Sequence, residues 1–121
     1  MITGLGTDIV EVDRMEQSIL RANGFREMVF SAHEIQYCER MANKYEHYAA
    51  RFAAKEAFFK ALGTGWKSGT SFNEIEVFND ANGKPEIRLL GQSAEAVGPV
   101  RILVSLTHVQ SMAAATVIIE K

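Results

Sequence analysis

Apolar and polar positions alternate from Ile2 to Val12, which predicts a strand. Ile2, Gly4, Gly6, Asp8, Val10 and Val12 share one side, and Thr3, Leu5, Thr7, Ile9 and Glu11 the other. A short helix is predicted over Asp13–Ala22, with Asn23-Gly24 as its stop. Ser31 and Glu34 have capping-box spacing, so a second helix starts there and ends near Asn43. The clearest helix is Glu46–Leu62, rich in Ala, Lys, Glu and Arg, with Gly63 placed as its C-terminal cap. Beyond the glycine-rich stretch Gly63–Gly69, Phe72–Phe78 alternates like a strand. Asn79–Gly83 has turn chemistry, and Pro85–Leu90 reads as the returning strand of a hairpin. Gln92–Val97 reads as a short helix, and Val100–Thr107 and Met112–Ile119 as two final strands joined around His108. A strand, then helices, then hairpin-linked strands predict an α+β fold in one domain, residues 1–121, with helices packed on an antiparallel sheet.

Composition alters this picture little. Hydrophobic residues make up 47% of the 121 positions and charged ones 23%, an ordinary globular mixture, and the formal net charge of -2 carries no nucleic-acid signature. Met1–Val12 lacks a basic segment and holds Asp8 and Glu11, so no signal peptide is expected. No apolar run is long enough for a membrane span. The single cysteine, Cys38, cannot form an intrachain disulfide or a Cys-rich zinc site, and reads as a packed small hydrophobe. A soluble, cytoplasmic protein without nucleic-acid or membrane partners is expected.

Two carboxylates stand out. Asp8 shares a strand face with Ile2, Val10 and Val12, where a carboxylate is costly unless paired, hydrogen-bonded or metal-bound. The glycines before it permit close approach of a backbone or ligand. Glu56 lies between Phe52 and Phe59 on the helical wheel, at the edge of an apolar sector, with Lys60 four residues on. Taken alone, Glu56 and Lys60 fit a surface pair. Lys55 falls within the apolar sector, where its stem could snorkel. Together, Asp8 and Glu56 suit a hard cation such as Mg2+, which takes one or two carboxylates and completes its shell with water and phosphate oxygens. Gly63-Thr64-Gly65 offers backbone amides to phosphate, although no Walker pattern is present.

Four segments then converge. Gly6-Thr7-Asp8-Ile9-Val10-Glu11-Val12, the run Arg51–Ala61 followed by Gly63-Thr64-Gly65, Asn82-Gly83-Lys84-Pro85, and Val104-Ser105-Leu106-Thr107-His108 resemble, in order, the motifs of the holo-acyl-carrier-protein synthases, the small 4′-phosphopantetheinyl transferases. The resemblance implies transfer of 4′-phosphopantetheine from coenzyme A to a serine of an apo acyl carrier protein, releasing adenosine 3′,5′-bisphosphate, with fatty-acid biosynthesis the default pathway. It implies Asp8 and Glu56 as magnesium ligands, and Lys60 with Gly63, Thr64 and Gly65 around phosphates. It implies Arg51 and His108 as coenzyme A contacts, Lys84-Pro85 on the adenine side, and a homotrimer with active sites at subunit interfaces. The family often carries a small hydroxyl residue after the histidine; here Val109 stands there and is given no role. The acceptor of the serine proton is left open among a metal-bound water, Glu56 and another nearby group.

Acyl carrier proteins are acidic, and the family meets them with its first helical region. Arg14, Arg21 and Arg26 are the expected contacts there, with Met15, Phe25 and Met28 as apolar neighbours. His33 reads as a capping-box helix residue, His47 as a first-turn surface residue, and Trp66 as core packing. The competing readings are a non-catalytic carrier-protein binder and a magnesium enzyme acting on another nucleotide. Retention of Asp8, Glu56 and Lys60 together speaks against the first, and the motif order against the second.

Overall fold

The computed structural model describes residues 1–63 and 69–121. In chain order the elements are β1 (Ile2–Glu11), α1 (Val12–Leu20), α2 (Phe25–Val29), α3 (Ala32–Glu39) and α4 (Lys44–Leu62). A 3-10 turn (Phe72–Glu74) follows, then β2 (Ile75–Asn79), β3 (Pro85–Leu89), α5 (Gly91–Val97), β4 (Arg101–His108) and β5 (Met112–Glu120). β5 is the centre of a three-stranded antiparallel sheet, flanked by β1 and β4, and β2 pairs with β3 in a separate antiparallel hairpin. The architecture is the expected α+β one.

Local chemistry accounts for most boundaries. Ser31 and Glu34 form the full capping box at the start of α3. That helix ends at Glu39, short of Asn43, and α4 begins two residues ahead of Glu46. Gly63 closes α4 in the left-handed conformation (φ 81°), which a glycine adopts without strain. Val12 leaves the strand and opens α1, its N–H bonded to the Ser111 carbonyl. Phe72–Glu74 form a 3-10 turn where a strand was expected. α2 was not anticipated: five residues span too little helix for a period to be read.

The long helix α4 organises the rest. Ala49, Ala50, Ala53, Ala54, Ala57 and Ala61 are buried along it, which lets neighbours approach closely. β1 does so through Gly4 and Gly6, where an added methyl group would overlap the carbonyl oxygens of Ala61 and Ala57. One apolar cluster fills the space between α4, the sheet and the β2–β3 hairpin; a second joins α1, α2 and α3 to the first half of α4. Cys38 is buried in the second, and burial pushes its thiol pKa up to about 12, as a packed and unreactive cysteine requires.

Lys55 does not snorkel. It and Glu34 are both fully buried, with Lys55 Nζ donating to Glu34 Oε1 at 2.8 Å, to the Phe72 carbonyl at 2.7 Å and to the Ile75 carbonyl at 2.6 Å. Glu34 also accepts the N–H groups of Ser31 at 2.9 Å and Val77 at 2.8 Å. The network ties α3, α4 and β2 together. Desolvation pulls the Lys55 pKa below its ordinary value, opposed chiefly by the charge of Glu34.

The opposite face of the three-stranded sheet exposes apolar side chains among the described residues. Leu5 is 67% and Ile9 63% exposed on β1, and across the sheet Leu5 faces Ile118, which in turn faces Leu103.

Candidate active site

Alternation along β1 turns Asp8 inward, and the glycine contacts bring it against α4. There Lys60 Nζ donates to Asp8 Oδ1 at 2.9 Å and to the Thr7 carbonyl at 3.0 Å. The surface pair of Glu56 with Lys60 therefore does not form, because Lys60 is drawn to β1. Glu56 sits one helical turn earlier, with no hydrogen bond or ion pair among the described residues. Its pKa lies above the ordinary glutamate value, first through lost hydration and then through the nearby charge of Asp8, with Lys60 opposing both.

Asp8 and Glu56 line an open cleft of about 670 Å³, together with Arg14 and Ser18 of α1 and the rings of Phe25 and Phe52. Arg14 is 79% exposed and only loosely paired with Glu11, at 3.6 Å. Arg21 lies exposed at the end of α1. Arg26 is not equally available. It pairs with Glu27 at 2.7 Å and Glu39 at 3.3 Å, and Glu39 also accepts from Tyr48. Of the apolar neighbours expected beside these arginines, Met28 is exposed, Phe25 is half-buried and Met15 belongs to the core.

Arg51 and His108 do not join this cleft. They belong to a second polar group built on the first half of α4 and the end of β4. His108 Nδ1 lies 2.8 Å from Glu46 Oε1, and the His47 ring is 5.2 Å from the His108 ring. His47 in turn packs on Tyr37, over which the Arg51 guanidinium sits at 4.1 Å. Arg51 is 2% exposed, donates to Asn79 Oδ1 at 2.9 Å, and leaves Nε without a hydrogen-bond partner among the described residues. His47 is thus not the surface residue expected. Burial, then the charges of His108 and Arg51, hold its pKa below the usual histidine value, against Glu46. Val109 follows His108 with its side chain exposed. Gly63 is at the helix end as expected, whereas Thr64, Gly65 and Trp66 lie outside the described residues.

Glu46, Tyr37 and Asn79 were not singled out from sequence. Glu46 and His108 are 62 positions apart, and no local pattern links them. Among the described residues no three side chains of metal-ligand type cluster, so the donor set at the cleft is the Asp8–Glu56 pair. Two neighbouring carboxylates, with Glu56 held above its ordinary pKa and without an ion-pair partner among the described residues, suit a hard cation that draws its remaining ligands from water and substrate oxygens.

The cleft thus joins two carboxylates, one of them bridged to a helix lysine, in a small α+β fold, an arrangement that suits group transfer on phosphate esters. Residues 4–113 match the family model described as the 4′-phosphopantetheinyl transferase superfamily, and the chain belongs to that family. It is similar to the holo-[acyl-carrier-protein] synthase of Cytophaga hutchinsonii, with 49% identity over 127 residues, covering 100% of this chain and 99% of that protein. The crystal structure of the Neisseria meningitidis holo-[acyl-carrier-protein] synthase superposes with a TM-score of 0.88 at 34% identity, covering 100% of both chains. That of a Bacillus anthracis holo-(acyl-carrier-protein) synthase in complex with CoA (3′,5′-ADP) gives 0.85 at 34% identity, covering 100% of this chain and 98% of the other.

Proposed function

We propose that this protein is a holo-[acyl-carrier-protein] synthase that transfers 4′-phosphopantetheine from coenzyme A to a serine of an apo acyl carrier protein. The observation that carries the reading is the Asp8–Lys60–Glu56 arrangement, set in a chain that matches such synthases over its whole length. The serine oxygen bonds to the β-phosphorus of coenzyme A, and the bond to adenosine 3′,5′-bisphosphate breaks. Catalysis of this kind is largely positioning and charge stabilisation.

Asp8 and Glu56 are the residues that would hold Mg2+, which when bound supplies Lewis acidity at the pyrophosphate. Lys60 lies beside them with its side chain 55% exposed, so its charge can turn from Asp8 toward phosphate oxygens. Gly63 closes the same helix, and it is read, with Thr64 and Gly65 from the sequence alone, as a phosphate contact. Arg51 and His108 contribute further contacts for coenzyme A, with Lys84-Pro85 on the adenine side. Arg14 and Arg21, and more weakly Arg26, form the surface for the acidic carrier protein.

In this reading the protein is a homotrimer with sites between subunits. Two features support it: Arg51 and His108 lie in a different group from Asp8 and Glu56, and the outer sheet face carries exposed Leu5 and Ile9. Among the described residues no helix is long and apolar enough to cross a membrane. A cytoplasmic place in fatty-acid biosynthesis accompanies the reading. Intact-mass analysis of apo carrier protein incubated with this protein, coenzyme A and Mg2+ tests it. A phosphopantetheine mass gain that requires Mg2+ and disappears in Asp8→Ala is expected. No gain with several carriers would favour a non-catalytic carrier-binding protein.

A further inference from the structure

We propose that Glu46 is a positioning residue of the coenzyme A site, acting through His108. The inference rests on the reading above that His108 contacts coenzyme A. A carboxylate only accepts hydrogen bonds, so the 2.8 Å contact from Glu46 Oε1 to His108 Nδ1 places a proton on Nδ1. Nε2 is then the ring nitrogen left for a ligand, and no protein partner among the described residues occupies it. The pair is largely covered, His108 being 29% and Glu46 19% exposed, so the contact is less screened than an open surface pair and fixes the ring more firmly.

Orientation is half of the effect. With Nδ1 protonated, Nε2 donates to a phosphate oxygen only if the ring is imidazolium; otherwise it presents a lone pair to an anion. The charged and titratable groups near His108 are Glu46, His47 and Arg51, all on α4, with Tyr37 of α3 reached through His47; the residue paired with His108 on β5 is Ala113. Arg51 adds a fixed positive charge, and His47 a second one when protonated. Glu46 is the acidic side chain among these groups, and it offsets the fixed positive charge of Arg51 near the ring.

The test combines a double-mutant cycle with a spectroscopic readout. Ring 15N NMR should show His108 protonated at Nδ1 in the unsubstituted protein and a shift toward the Nε2-protonated tautomer in Glu46→Ala. Glu46→Ala is expected to raise the KM for coenzyme A about threefold to tenfold, the loss of one charge-assisted contact, with little change in kcat. Glu46→Gln keeps an acceptor oxygen without charge. It should restore the tautomer and, with it, most of the affinity for coenzyme A. His108→Ala should raise KM to a similar extent, and adding Glu46→Ala to it should cost nothing more. An equal penalty from Glu46→Ala in both backgrounds would overturn the proposal, since Glu46 would then act on folding or another group. An unchanged KM in His108→Ala would instead overturn the coenzyme A role of His108, and the proposal with it. The NMR signal would still report whether Glu46 fixes the ring.

Discussion

Lys60 reaches across from α4 to donate to Asp8 at 2.9 Å, and Glu56, one turn earlier on the same helix, has no ion pair among the described residues. The bridge locks β1 to α4. Glu56 beside it bears the cost of lost hydration and of the nearby Asp8 charge, a cost that a bound cation would relieve.

That cost gives Glu56→Gln a signed thermal signature. The folded pKa of Glu56 lies above its ordinary 4.5, so between the ordinary value and the raised one the folded state binds more protons than the unfolded. Stability contributed by this group is therefore present below the ordinary glutamate range and lost as pH rises through the folded pKa. Without Mg2+, Glu56→Gln should melt above the unsubstituted protein near neutral pH and at the same temperature in acid, by differential scanning calorimetry. Added Mg2+ should raise the Tm of the unsubstituted protein and not that of the variant, and transfer activity should fall by about a hundredfold or more.

Gly6→Ala tests the packing that brings Asp8 to the helix. The new methyl group meets the Ala57 carbonyl, which a helix backbone cannot move aside cheaply. We expect a loss of about 1–3 kcal/mol, the usual scale of overpacking, seen as a lower urea midpoint with unchanged slope. Activity should fall further than stability, because β1 shifts away from Lys60.

The Glu34–Lys55 pair predicts a large and partly reversible loss. Lys55→Met leaves Glu34 charged, buried and short of one donor, which should cost about 3–5 kcal/mol. Adding Glu34→Gln removes the stranded charge and should recover part of that loss in urea unfolding. Strictly additive losses would show that the two side chains do not depend on each other.

Much of this architecture could be read along the chain because its signals are local. The Ser31–Glu34 capping box, the Gly63 cap and the period of β1 are all set by residues within a few positions of each other. Asp8 and Glu56 were legible as carboxylates in apolar surroundings. What escaped is non-local. Lys60 chose Asp8 over Glu56 because Gly4 and Gly6 draw β1 in. Lys55 stayed inside because Glu34 and two carbonyls meet it there, and Glu46 found His108 only through the docking of β4 beside α4. Periodicity places each of these residues on a face and carries no information about which partner arrives.

Arg14 and Arg26 should separate on charge reversal, although both are cationic residues of the first helical region. Arg14 faces the cleft and is almost free, so Arg14→Glu should slow association with an acidic carrier about tenfold at low salt, an effect that fades as salt is added. Arg26 is already engaged by Glu27 and Glu39. Arg26→Glu should show the smaller change in association and a lowered Tm, because it puts a third carboxylate beside those two. Stopped-flow association at two salt concentrations, with a melting curve for each variant, distinguishes the two outcomes.

Ile9→Asp probes the assembly. Ile9 is 63% exposed and Leu5 67% on a sheet face whose neighbouring row, Leu5 to Ile118 to Leu103, is also apolar. An outward aspartate costs the isolated chain little, since it meets water there, but in a subunit interface it would be a desolvated charge without a partner. Sedimentation velocity should therefore show a trimer for the unsubstituted protein and a folded monomer for Ile9→Asp. Activity should be lost in parallel if Arg51 and His108 of one subunit complete the cleft of the next. A fully active monomer would place the whole site within one chain and would require Arg51 and His108 to reach Asp8 and Glu56 by a conformational change along α4.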